Sequence, residues 1–353
     1  MITLTKKPSQ GFSLIELMVA MVLGLVLMGG VIQVFLSSKQ SYVFNEELGW
    51  MQENSRFAIE YMTRDLRMAG YFGCSTEVPV VNTLNPVGGT GWQTDFGNGI
   101  GGYDGDDTTN LAFTSAEFPQ PPIPAVTSGT VPRSDVVTLS RLDNSRSVSV
   151  TGQINGTTLG VGTHDFESGE ILVITDCDHS AIFQHIGVNP NRAVHNTGTG
   201  FPGNCTRGLG TPVLCTGPPA GNSYTYGTDA SVMRAVSSAY YVDVATNGLP
   251  ALYVRALGNS ATTISNELVQ GIENLQVLFG EDITGDGFAN RYINADDVTS
   301  WTDVVTTKVY LLSRSLIQSA SEPQTFSFMG TNYTPTDRYL RQEFVSTVQI
   351  RNR

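Results

Sequence analysis

Hydrophobic and polar positions along this chain fall into two regimes. From Phe12 to Leu36 the residues are apolar or small, broken only by Ser13, Glu16 and Gln33. Past Ser41 the pattern narrows to a stripe. Phe44, Leu48, Met51, Ala58, Ile59, Met62, Leu66 and Ala69 recur at steps of three and four, with Ser55 filling the one gap. That spacing is one face of an α-helix. No proline interrupts residues 9 to 78, so the two regimes predict one continuous helix from Phe12 to Ala69, roughly 87 Å long at 1.5 Å per residue. Gly70 provides a stop. Gly24 and the pair Gly29-Gly30 are weak points, each about 1 kcal/mol less favourable than Ala.

Beyond Gly70 the period shortens to two. Residues 134–142, 147–152, 169–177, 180–188, 235–244, 251–257, 275–282, 307–315 and 343–353 read as strands. In the last of these, Phe344, Ser346, Val348 and Ile350 share a face, as a half-buried strand requires. Residues 86–110 and 117–132 are loop-like, full of Gly, Pro and Asp, and 189–230 is a long Gly/Pro-rich excursion. No repeat of 20–50 residues is evident. The expectation is an α+β fold: a long N-terminal helix, hydrophobic and then amphipathic, packed on antiparallel sheet with long loops.

Composition narrows the function classes. At 353 residues the chain is long enough to bury a sizeable core. Its 20 basic and 32 acidic side chains give a formal net charge of −12, which opposes a nucleic-acid binder, since those carry a basic patch or stripe. Only 15% of residues are charged and 37 are Gly, a texture typical of exported bacterial β-rich proteins. None of the four cysteines, Cys74, Cys177, Cys205 and Cys215, stands in a CxxC pair, which argues against a zinc ribbon. An even number in a chain that crosses a membrane favours disulfides. Three pairings are open, as are four free thiols. The preferred set is Cys205–Cys215, closing "CTRGLGTPVLC", with Cys74–Cys177 joining distant segments.

The apolar run is long enough to span a bilayer with some tilt. Lys6 and Lys7 precede it, which keeps the N-terminus cytoplasmic and the bulk outside. An ordinary secretory signal is excluded because the apolar run is too long and no small-x-small cleavage site follows it. Glu16 stands out, since an acid inside a membrane helix costs about 2.5–3.5 kcal/mol on insertion scales and needs a partner, a function or a route to the interface.

"KKPSQGFSLIEL" resembles the class III, or type IV prepilin, signal: a basic leader ending in Gly11, then Phe12, then Glu16 at the fifth position of an apolar helix. The resemblance implies cleavage between Gly11 and Phe12 by a prepilin peptidase, N-methylation of Phe12, and pairing of Glu16 with the N-terminal ammonium of a neighbouring subunit. Two charges costly to bury alone neutralise one another there. "TRDLRMAGYFGC" (63–74), "DCDHSAIFQ" (176–184), "FGEDITGDGFANRYINADDV" (279–298) and the closing "RNR" are similar to the PilW family of large minor pilins. That resemblance, patchy over nearly the whole chain, implies a pilin-like fold and a place near the pilus tip. Other minor and major pilins would be its partners, with a role in priming assembly and presenting a tip adhesin.

Candidate chemistry is sparse. In "DITGDG" (282–287), Asp282, Thr284 and Asp286 take the first, third and fifth positions of a calcium loop, with Phe288 and Asn290 offering further oxygens. Ile293 stands where the acid at position twelve belongs, and Asp296 or Asp297 would have to substitute. The alternative is an acidic hairpin tip of Asx-turn geometry. "GTGFPG" (198–203) has the GxGxxG spacing without a preceding strand or following helix, and is read as a loop. Strand alternation puts Cys177, His179 and His185 on one side, where a disulfide with surface histidines is preferred to a transition-metal site. No HExxH, GxSxG or P-loop occurs.

The expectation is therefore a non-enzymatic minor pilin. Residues 1–11 would be leader, 12–38 the transmembrane and filament-core helix, 39–70 its amphipathic half, and 71–353 a periplasmic β-rich domain. The alternatives are a J-type pseudopilin of type II secretion and an inner-membrane-tethered periplasmic enzyme or binding protein.

Overall fold

The structure, a computed structural model, describes residues 11, 13–73, 80–85, 91–106, 118–198, 202–215, 221–257 and 263–352. The helix, α1, runs over Leu14–Leu66. It ends three residues before the stripe does, because its last turn tightens. The N–H groups of Met68 and Ala69 reach back three residues, to the carbonyls of Asp65 and Leu66. Gly70 then adopts φ +74° and donates its N–H to Ser140, turning the chain onto the sheet rather than capping the helix directly. It crosses Gly99 so closely that a Cβ on Gly99 would lie 2.4 Å from the Gly70 Cα.

The first sheet has ten strands. Its main path contains β1 (Val80–Asn82), β3 (Val136–Asn155), β4 (Thr158–Val161), β5 (Ile171–Thr175), β6 (Ser180–Gln184), β7 (Arg192–Val194) and β8 (Ser231–Val244) in the order β1-β6-β5-β8-β3-β4-β7. β2 (Ile100–Tyr103) pairs with β3, and β9 (Pro250–Leu257) joins β8 to β10 (Thr263–Gln270). The second sheet contains β11 (Ile272–Glu281), β12 (Arg291–Ile293), β13 (Val304–Arg314) and β16 (Arg341–Gln349) in the order β12-β11-β13-β16. A hairpin of β14 (Phe326–Phe328) and β15 (Thr331–Tyr333) stands apart. Pairing is antiparallel except where β1 lies parallel to β6.

The expected strands all exist, with adjustments. Residues 134–142 and 147–152 belong to one long strand, β3, whose register against β8 slips between Asp143 and Ser147. β6 stops at Gln184, earlier than its apolar run, and β8 starts at Ser231.

The stripe on α1 is seated between the sheets. Ala58, Met62, Leu66 and Ala69 share one core with Val137 and Leu139 of β3, Tyr240 and Val242 of β8, Leu275 and Val277 of β11, Leu311 of β13 and Val348 of β16. Three polar ties fix its height. Glu47 accepts the N–H of Leu316 at 2.8 Å, and Asn54 donates to the Gln270 carbonyl at 3.3 Å. Asp65 accepts from Arg141 at 2.5 Å and from the Tyr240 hydroxyl at 2.6 Å.

Candidate functional site

The N-terminal half of α1 touches nothing in the protomer. Its large apolar side chains, from Leu14 at 77% to Leu36 at 57% exposed, are bare along the whole run. It is the one helix, among the described residues, long and apolar enough to cross a membrane. Burial begins only at Met51 and continues through Ser55, Ala58, Met62 and Leu66. One helix thus has two halves with different tasks, set by which residues lie on its faces.

Gly11 is exposed, and Phe12 lies outside the described residues. Ser13 is the N-cap, in extended conformation, and its N–H donates to the Glu16 carboxylate at 2.9 Å. This is the acid half of a capping box, which satisfies an orphan donor where the helix dipole favours negative charge. Glu16 therefore has a partner inside its own chain at the helix mouth.

The comparisons decide what this helix belongs to. Residues 6–32 match the prokaryotic N-terminal methylation motif, and residues 239–352 match the type IV pilus-assembly protein W family. The chain carries a PilW region over about a third of its length, behind a prepilin-type N-terminus. It is a type IV pilus minor pilin, and its apolar helix and prepilin motif fit a membrane-anchored pilin. The PilW match covers the second half of β8 and every described strand after it, which includes the sheet that seats α1. A type IV-like pilin from Thermus thermophilus aligns over 33% of this chain and 67% of its own length, at 18% identity and a TM-score of 0.22. That overlap is too slight to equate the two β-regions. A comparison with curated proteins finds no match. Membership of a pilin family implies contact with other pilins and with the machinery that processes prepilins.

The remaining candidate residues of this pilin lie apart from the helix mouth. Cys205 and Cys215 are joined in a disulfide across the 189–230 excursion. Cys177 is disulfide-bonded, and Cys74, the partner preferred for it, lies outside the described residues. The expected face shared by Cys177, His179 and His185 does not form. A turn between β5 and β6, with Cys177 at φ +73°, interrupts the alternation. His179 stacks on Tyr224, while His185 is buried and accepts the Val194 N–H through Nδ1 at 3.0 Å. Of "GTGFPG", residues 199–201 lie outside the described residues.

Around 282–290 the loop closes on itself. The Asp282 carboxylate accepts the N–H groups of Thr284 (3.0 Å), Gly285 (2.7 Å), Asp286 (3.3 Å) and Gly287 (2.6 Å). Desolvation pushes its pKa up, but these donors outweigh it and hold it below the usual carboxylate value. The Asn290 side-chain oxygen accepts the Ile283 N–H at 2.7 Å, and Asp286 accepts that of Phe288 at 3.0 Å. Gly285 and Gly287, both at positive φ, supply the turn. Among the described residues, no group of three or more His, Cys, Asp or Glu side chains is arranged to hold a metal.

Sequence reasoning missed the ties that seat α1, Glu47, Asn54 and Asp65, and a groove beside it rich in arginine. A signal for the groove was present: Arg56, Arg64 and Arg67 lie on the polar side of a stripe in an otherwise acidic chain.

Proposed function

We propose that this minor pilin is cut after Gly11, begins as N-methyl-Phe12, and enters the filament through the bare half of α1. It is a structural subunit rather than an enzyme, joining other minor and major pilins near the filament tip, where it helps to prime assembly and to present an adhesin. Before assembly it waits in the inner membrane with its N-terminus cytoplasmic and its β-region periplasmic.

The observation that supports this is the exposed apolar run from Leu14 to Leu36, carried on a helix whose other half is firmly seated in the fold. In a lone helix Glu16 serves only as a cap, whereas a bundle of such helices also offers it the terminal ammonium of a neighbour. In this reading the Ser13–Glu16 bond is the resting arrangement of the free subunit, exchanged on assembly for an intermolecular charge pair.

Glu16→Ala is expected to leave cleavage, N-methylation and membrane insertion unchanged while strongly reducing the amount recovered in sheared filaments. Mass spectrometry of the N-terminus and immunoblotting of the two fractions give the readout. Wild-type recovery of the variant would sink the role given to Glu16.

For the 282–290 loop, we infer an acidic hairpin tip held by Asp282 rather than a calcium site built from Asp282, Thr284, Asp286, Phe288 and Asn290. Excess Ca²⁺ is expected to leave the melting curve of the full-length protein in detergent unmoved. A calcium-dependent rise in Tm would restore the metal.

A further inference from the structure

A groove of about 960 Å³ runs beside the C-terminal half of α1, walled by the helix, by the Arg141–Ser145 part of β3, and by Ser346 and Arg351 on and just after β16. Its charges are unevenly matched. Arg141 is paired with Asp65. Arg56, Arg64, Arg67 and Arg351 are exposed and, among the described residues, make no ion pair within 4.0 Å. Against these four cations the groove offers only Glu60 and Asp143 as further acids. It is therefore a basic concavity on a chain whose formal net charge is −12.

Guanidinium groups held on a folded wall and left unpaired suit carboxylates or phosphates, which they bind as forks. Position excludes the bilayer as the source of the anion. The bare apolar run ends at Leu36, so Arg56 stands about 30 Å and Arg67 about 46 Å further along the helix at 1.5 Å per residue. The screening length in physiological salt is only about 8 Å. Nucleic acid is disfavoured by the acidity of the whole molecule, which repels a polyanion at long range, and by the two carboxylates inside the groove. A protein surface fits better. Ile59, Leu142 and Met68 supply apolar floor between the cations, the mixture that protein contacts use.

We propose that this groove docks an acidic segment of a neighbouring filament subunit, with its carboxylates on Arg56, Arg64, Arg67 and Arg351. The filament reading above supplies only the identity of the neighbour; the preference of the groove for an acidic polypeptide rests on its own charges.

The test uses the full-length chain in detergent and a fluorescent ten-residue peptide of alternating Glu and Ser, read by anisotropy at low and physiological salt. The peptide should bind, more weakly as salt rises. The triple variant Arg56→Glu, Arg64→Glu, Arg351→Glu should weaken it by about tenfold or more, the scale of a lost charge-assisted hydrogen bond. Reversing three exposed arginines elsewhere, Arg133, Arg192 and Arg338, should leave binding unchanged. Equal losses in the two triple variants, or no binding by a folded protein with normal circular dichroism, would overturn the proposal. So would a DNA duplex that binds more tightly than the peptide and is lost on groove reversal. Because this assay needs no filament, its outcome is independent of whether Glu16→Ala is excluded from filaments.

Discussion

Two buried histidines, His185 and His195, tie the stability of this molecule to pH. Burial, and for His185 the nearby His164, hold both His185 and His195 down to about 4. In the unfolded chain they titrate near 6.5, so between those limits the unfolded state binds more protons and stability falls as pH falls. At pH 5 the loss amounts to about 2 kcal/mol per histidine. The Tm of the full-length protein should be level above about pH 7 and decline toward pH 5. His185→Gln, which keeps an acceptor for the Val194 N–H, should flatten that decline. An unchanged pH slope in the variant would place the titration elsewhere. Nothing in the sequence distinguished these histidines from surface ones. Arg341 was equally silent, yet its side chain is 1% exposed and forks onto Glu273 at 2.6 Å and Asp337 at 2.6 Å. Both are consequences of tertiary packing between distant segments, which a local pattern does not encode.

Among elements, α1 was the most legible and β10 the least. The helix announces itself by a 3.6-residue period sustained over several turns. Its end was placed three residues late because the apolar stripe runs on through a last turn that tightens to three-residue bonds, and only the bond from Gly70 to Ser140, distant in sequence, fixes where the chain leaves it. β10, "TISNELVQ", escaped notice since most of its side chains are exposed and give no apolar alternation; pairing with β9, the buried Val269 and the Asn54 bond to the Gln270 carbonyl hold it in place. β5 was read too far at its end because the Asp176–His179 turn contains no glycine or proline to announce it, and β6 because the residues after Gln184 stay largely apolar. The seating of α1 makes a quantitative prediction. Met62, 1% exposed at the centre of the stripe, should cost about 2–5 kcal/mol when replaced by Ala. Phe57, 48% exposed on another face, should cost well under half of that as Ala. Urea unfolding of the two variants in the same detergent gives the comparison, and similar midpoints would show that the stripe does not anchor the helix.

At the scale of the whole molecule, the α+β plan was readable from the switch of period at Gly70. The division into two sheets was not, since strand pairing joins segments far apart in sequence. The 189–230 excursion stayed opaque for the same reason: its order comes from long-range bonds such as Asn204 to Gln184, and from the Cys205–Cys215 disulfide. Closing a loop of that length restricts the unfolded chain by about 3 kcal/mol. Cys205→Ser with Cys215→Ser should lower unfolding stability by up to that amount and expose the segment to proteases first; unchanged protease resistance would show that packing alone holds it. The seating of α1 also has a consequence for biogenesis. The helix leaves the ribosome well before β16, the last described strand, which completes its socket, and the Arg351 N–H closes onto the Arg67 carbonyl. A nascent chain lacking β16 has a helix in the membrane and an unfinished seat for it. Docking of the amphipathic half therefore requires synthesis to have run through β16, so a chain cut short before that strand should differ physically from one that includes it.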